Sequence, residues 1–257
     1  MDKRFVVILV VIIAALLGVF KLTNKSEPVG SSTGKGSTNV YGKADSKVTL
    51  TEFVDFQCEA CYAYFPIVQQ LKEKYKDQLR FEVKYFPIEG GDHKFARQAA
   101  RSAEAAARQG KFWEMHDQIF QGQKQWEQMP DPQTTFDGYA QSLGIDMTKF
   151  KIDRMSSEVN AVINADLDAV KKIGGNGTPT FVLNGKKVDK PGQTLDDLSK
   201  LVEDALKAAG ITPTPRPVQQ APASQSQSPS PSGGQTPAGG GLAPGETAEQ
   251  HAQEQQQ

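Results

Sequence analysis

The residues best suited to chemistry are Cys58 and Cys61, in Cys58-Glu59-Ala60-Cys61. The chain has 2 cysteines, and both lie in this motif. A disulfide-stapled scaffold needs more cysteines at longer separations. A structural zinc site needs four ligands, commonly two such pairs or one pair with two His. A CxxC standing alone points to redox chemistry, with a zinc half-site or a plain structural disulfide as the alternatives. In disulfide exchange the thiolate attacks, so the question is what lowers a thiol's pKa here.

The surrounding elements supply an answer. Lys47 to Phe56 is β-branched and aromatic and reads as a strand. It stops just short of Cys58, which places that residue at the start of the next helix. The unpaired N–H groups and positive dipole end there favour a thiolate. Cys58 is therefore expected to be the exposed nucleophile that forms the mixed disulfide. Cys61, one turn on and deeper, is expected to resolve it. Helical spacing continues over Tyr62 to Tyr75, with Pro66 as an expected kink. Leu79 to Phe86 reads as a second strand, parallel to the first if the helix is a crossover.

Phe95 to Phe120 is rich in Ala, Arg, Gln and Glu and reads as helix, broken at Gly110. Phe136 to Leu143 is helical, with Gly144 as its stop. Thr148 to Ile173 supplies one or two more helices. Thr180 to Leu183, Asn184-Gly185 and Lys186 to Val188 form a hairpin, since Asn-Gly favours the tight turn. A last helix covers Thr194 to Ala209, ended by Gly210. The order predicts an α/β domain over residues 41–210 carrying an all-helical insertion at about 92–173.

Both ends of the 257-residue chain differ from this block. Lys3 and Arg4 precede an apolar run from Phe5 that reaches Leu22 if Lys21 snorkels. Its length and the lack of a small-x-small exit favour a transmembrane signal anchor over residues 1–22. A cleaved signal peptide is the alternative, and either one exports the middle block. Residues 23–40 read as a flexible Gly/Ser-rich tether. Residues 211–257, rich in Pro, Gln, Ser and Gly, read as a disordered tail. The net charge of −1 and the scattered basic residues give no reason to expect a nucleic-acid partner.

With these residues in view, the block resembles the thioredoxin fold, and within it the DsbA-like thiol:disulfide oxidoreductases. Three stretches carry the resemblance. They are Glu52-Phe-Val-Asp-Phe-Gln-Cys-Glu-Ala-Cys61 with Pro66 beyond it, Gly177-Thr178-Pro179-Thr180, and Gln109 to Phe120 with its Phe-Trp-Glu-Met-His string. The resemblance implies a cis bond before Pro179 and a substrate strand paired on Thr178. It implies that Glu52 carries protons for Cys61, with Lys84 as its partner. Trp113 and His116 are expected in the core, and His93 at the surface.

The dipeptide Glu59-Ala60 departs from the Pro-His of strongly oxidising members. Glu59 is expected to oppose the Cys58 thiolate by like-charge repulsion. The implied function is disulfide donation to reduced secreted proteins by a monomer. A membrane quinone-linked oxidase would reoxidise it. No metal or cofactor is expected beyond the Cys58–Cys61 disulfide. A reductase or isomerase of the same fold, or a copper-binding module, are the alternatives.

Overall fold

The computed structural model describes residues 34–217. Its sheet has five strands in the order β1-β3-β2-β4-β5. These are β1 Asn39–Gly42, β2 Thr49–Val54, β3 Arg80–Tyr85, β4 Thr180–Leu183 and β5 Lys186–Lys187. Helix α1, Glu59–Lys74, joins β2 to β3, which pair in parallel. The insertion between β3 and β4 contains α2 Ala96–Ala107, α3 Phe112–Gln121, α4 Gln123–Trp126, α5 Gln133–Ser142, α6 Met147–Met155 and α7 Ser157–Lys172. Helix α8, Leu195–Ala208, follows the β4–β5 hairpin. This is the thioredoxin-like α/β fold with a helical insertion.

Local chemistry explains the main boundaries. Asn184 and Gly185 turn with φ of 49° and 79°, as a two-residue hairpin of this hand requires. Gly110 takes φ 72° between α2 and α3. Thr194 and Asp197 form a reciprocal capping box at the start of α8. On α2, Ala99, Ala100, Ala103 and Ala106 are buried, and small side chains there let neighbouring helices approach closely. One apolar core runs from Leu50 and Val83 on the sheet to Ile119, Trp126 and Phe150 in the insertion.

The structure corrects both borders of the domain. The expected tether reached residue 40, yet β1 begins at Asn39 and pairs antiparallel with β3. Just before it, Ser37 is buried and clasped by Asp166 of α7. The Asp166 carboxylate accepts from Ser37 N at 3.1 Å, Ser37 Oγ at 2.6 Å and Tyr85 N at 3.0 Å. At the other border, the expected disordered tail began at 211. Gln78 Nε2 donates to Thr212 O at 2.8 Å, Thr214 N to Gln78 Oε1 at 2.7 Å, and Arg216 N to Lys74 O at 2.8 Å. The start of that segment therefore lies on the domain. The expected membrane anchor, and the tail beyond residue 217, fall outside the described residues. Among the described residues, no helix is long and apolar enough to cross a membrane.

Candidate active site

Strand β2 ends at Val54, and the next four residues form a tightly held loop into α1. Asp55 organises it. Its Oδ1 accepts from Gln57 N at 2.7 Å, an Asx turn, and its backbone O accepts from Cys58 N at 3.1 Å. Its Oδ2 accepts from Ile88 N at 2.8 Å and lies 2.8 Å from His93 Nδ1. Gln57 Oε1 accepts from Phe95 N at 2.8 Å. Gln123, wholly buried on α4, donates from Nε2 to Phe56 O at 2.8 Å and Cys58 O at 3.2 Å. The loop is thus bound to the insertion from two sides. His93, expected at the surface, is half-buried because Asp55 holds it.

Cys58 is the N-cap residue of α1, with extended backbone and no side-chain cap. Both thiols are free. The expectation of an exposed nucleophile is corrected: Cys58 is 9 % exposed and Cys61 1 %. Cys58 Sγ lies against the loop of the cis Thr178–Pro179 bond, 3.4 Å from Thr178 O. Hydrogen bonds to the sulfur draw the Cys58 pKa down to about 5. The Cys61 thiol contributes most, then Thr178 and the N–H groups of Cys61 and Ala60, against the upward push of burial. Burial, and after it the neighbouring Cys58, push Cys61 well up. The two sulfurs are therefore strongly unequal.

Glu59 does not act as expected. It pairs with Lys124 at the surface, and its charge is balanced there. Glu52 lies on β2 behind Cys61 and is 3 % exposed. Burial pushes its carboxyl up to about 8. Its charged neighbour is Lys72 of α1, not Lys84. Lys84 pairs with Asp166 at 3.3 Å instead. Strand geometry gives the reason. In the β2–β3 register Glu52 faces Val83, and Lys84 faces Phe53, so Lys84 points to the other side of the sheet. Lys72 is held over Tyr41 and Trp113, with Nζ 4.7 and 4.5 Å from their ring centroids. His116 is buried, as expected, and Trp113 is half-buried. Glu52, Cys61, Lys72 and His116 all line a small chamber of about 10 Å³, on the scale of one water molecule.

This arrangement is a dithiol with one stabilised thiolate and a buried acid behind its partner. A family model described as Thioredoxin matches residues 34–204. The chain belongs to the thioredoxin family. Solved structures place this thioredoxin-family chain among DsbA-like folds. It is 28% identical to a thioredoxin-like oxidoreductase from Silicibacter pomeroyi DSS-3, with TM-score 0.52, covering 66% of this chain and 91% of that one. It superposes on BdbD from Bacillus subtilis with TM-score 0.58 at 24% identity, covering 69% and 99%. A third match is the thiol-disulfide exchange protein alpha-DsbA2 from Wolbachia pipientis, at TM-score 0.55 and 23% identity, covering 65% and 86%. Among curated proteins it is 33% identical over 175 residues to a Na(+)/H(+) antiporter NhaA 3 from Salinispora tropica. That match covers 68% of this chain and 26% of the antiporter. The chain thus spans about a quarter of that relative's length.

Sequence reasoning missed four residues of this site: Asp55, Gln57, Lys72 and Gln123. The Asp-x-Gln ahead of the helix start carried an Asx-turn signal. Gln123 sits in a four-residue helix with no periodic pattern. Among the described residues, no group of three or more His, Cys, Asp or Glu is placed to hold a metal ion. Gln123→Ala is expected to cost about 1–3 kcal/mol, because the Phe56 carbonyl loses a buried donor. Urea unfolding of the oxidised protein checks this, and an unchanged midpoint would contradict it.

Proposed function

We propose that this protein is an extracytoplasmic disulfide oxidoreductase that donates the Cys58–Cys61 disulfide to reduced secreted proteins. The inequality of the two sulfurs carries the reading. In the donating direction, a substrate thiolate attacks Cys58 Sγ. A substrate–Cys58 bond forms, the Cys58–Cys61 bond breaks, and its electron pair leaves on Cys61. Cys61 takes a proton readily, and Glu52 is the buried acid placed to give it. A second substrate thiolate then attacks the substrate sulfur, and Cys58 leaves as a stabilised thiolate. A low-pKa thiol leaves faster, so this step favours donation. The substrate loses two electrons and the dithiol holds them. The backbone of Thr178, beside cis-Pro179, would pair with an extended substrate strand.

The apolar run of residues 1–22 supports a membrane anchor with the domain outside the cytoplasm. A curated relative's name, that of an antiporter, supports placing such a domain at a membrane. A membrane quinone-linked oxidase would then take the two electrons from Cys58 and Cys61. Running the same geometry in reverse gives a reductase or isomerase. The reduction potential separates them. Equilibration with glutathione is expected to give a value nearer about −120 mV than about −270 mV. A value at the lower end overturns the donor role.

A further inference from the structure

We propose that His116 and Asp117 carry protons between the Glu52–Cys61 chamber and solvent. The inference rests on the exchange reading above and adds a route for the proton that reading requires. Cys61 and Glu52 are both nearly sealed from water, yet each must gain and lose a proton in every redox cycle. The chamber they share is lined on its α3 side by His116. His116 is 4 % exposed, and its ring packs among Phe56, Phe65, Phe112 and Phe120. A buried neutral imidazole needs an acceptor for its one ring N–H. This one has Asp117 Oδ1 2.8 Å from Nδ1. The carboxylate accepts, so Nδ1 carries the hydrogen and Nε2 keeps its lone pair. No protein group among the described residues hydrogen-bonds Nε2. Asp117 in turn is 30% exposed at its side chain and reaches solvent.

The charged groups around the ring fit the role. From β2 comes Glu52, from α1 Lys72 and the Cys61 thiol, and from α3 Asp117 itself. Burial, with Lys72 adding to it, holds the imidazole below its usual pKa against the opposing pull of Asp117. The ring is therefore neutral at pH 7 and able to accept. When Glu52 must shed a proton, the proton passes through the chamber to Nε2. The Nδ1 proton moves to the Asp117 carboxylate and from there to water. The ring is left with its hydrogen on Nε2. When Glu52 must be recharged, Asp117 takes a proton from water and returns it to Nδ1, and Nε2 gives its own to Glu52. No charge accumulates on either pass.

A relay speeds both directions equally and leaves the equilibrium alone. The test is the rate at which dithiothreitol reduces the oxidised protein, measured from pH 5 to 9 in H₂O and D₂O. His116→Gln keeps a donor for Asp117 but cannot relay. Asp117→Asn keeps the acceptor for Nδ1 and can be made if His116→Gln does not fold. Each is expected to slow reduction and reoxidation by the same factor, about tenfold at pH 7, with the reduction potential and Cys58 titration unchanged. The wild-type solvent isotope effect should shrink in both. A folded variant whose rates stay within about twofold of wild type overturns the relay. So does a rate loss matched by a shift in potential, which would mark a structural role. A wild-type protein that exchanges no disulfides overturns the exchange reading, and the relay with it.

Discussion

Cys58→Ser is expected to abolish thiol–disulfide exchange, with a rate loss of about 10³-fold or more in refolding a reduced substrate protein. A hydroxyl at this position can neither form the enzyme disulfide nor leave as a stabilised anion. The fold should tolerate the change, since serine is smaller and Cys58 lies at the edge of the core, 9 % exposed. The companion variant sharpens the test. Cys61→Ala leaves the attacking sulfur but removes the resolving one, so mixed disulfides with substrate accumulate and appear as non-reducing gel shifts. It also removes the strongest single hydrogen bond to the Cys58 sulfur. The titration midpoint of Cys58, followed by thiolate absorbance, is then expected to rise from about 5. A Cys58→Ser protein that retains activity within about tenfold of wild type sinks the assignment.

The second large effect is a pH-dependent gap in stability between the reduced and oxidised protein. In the reduced form Cys58 has a folded pKa of about 5 against an ordinary value of 9.0. A depressed pKa stabilises the fold above the unfolded value and loses that stabilisation as pH falls through the folded one. Between pH 5 and 8 the Cys58 contribution to the stability of the reduced protein should therefore grow as pH rises, by at most about 1.36 kcal/mol per unit. Carried over the whole shift, the upper bound is about 5 kcal/mol. Through the thiol–disulfide cycle, that is on the order of 100 mV toward a more oxidising disulfide. Glu52 works the other way. Its folded pKa is raised from 4.5 to about 8, so its contribution is present at low pH and lost as pH rises. Oxidation removes the Cys58 thiolate and leaves the Glu52 carboxyl in place, so the difference between the two unfolding curves reports chiefly on Cys58. Urea titrations at pH 5, 6.5 and 8 measure that difference. A flat difference refutes the stabilised thiolate.

Much of this site can be read from local sequence. The strand before Cys58, the helix that starts there, the Asn184-Gly185 turn and the break at Gly110 each depend on residues a few positions apart. What escaped depends on contacts across the chain. Strand β1 has four residues beside a Gly/Ser-rich stretch, and the residue leading into it is held by Asp166, far away in sequence. Lys72 reads as a solvated helix residue, because nothing nearby reveals that Tyr41 and Trp113 will enclose it. The pairing of Glu52 with Lys84 failed by one residue of register. On a strand, one residue is the difference between two faces. Glu59 looked decisive because it adjoins the nucleophile, but adjacency along a helix does not aim a side chain at the sulfur. Lys124, which neutralises it, comes from the insertion.

The antiparallel placement of β1 gives the domain a polarity. Asn39 sits beside Val83 and Gly42 beside Arg80, so the chain enters the sheet where β2 and β3 finish. That is the end that carries Cys58. It departs from the opposite end, where Arg216 and Thr214 lie against Lys74 and Gln78. The redox end of the domain is thus the one where β1 enters the sheet, and residues 214–216 lie at the other.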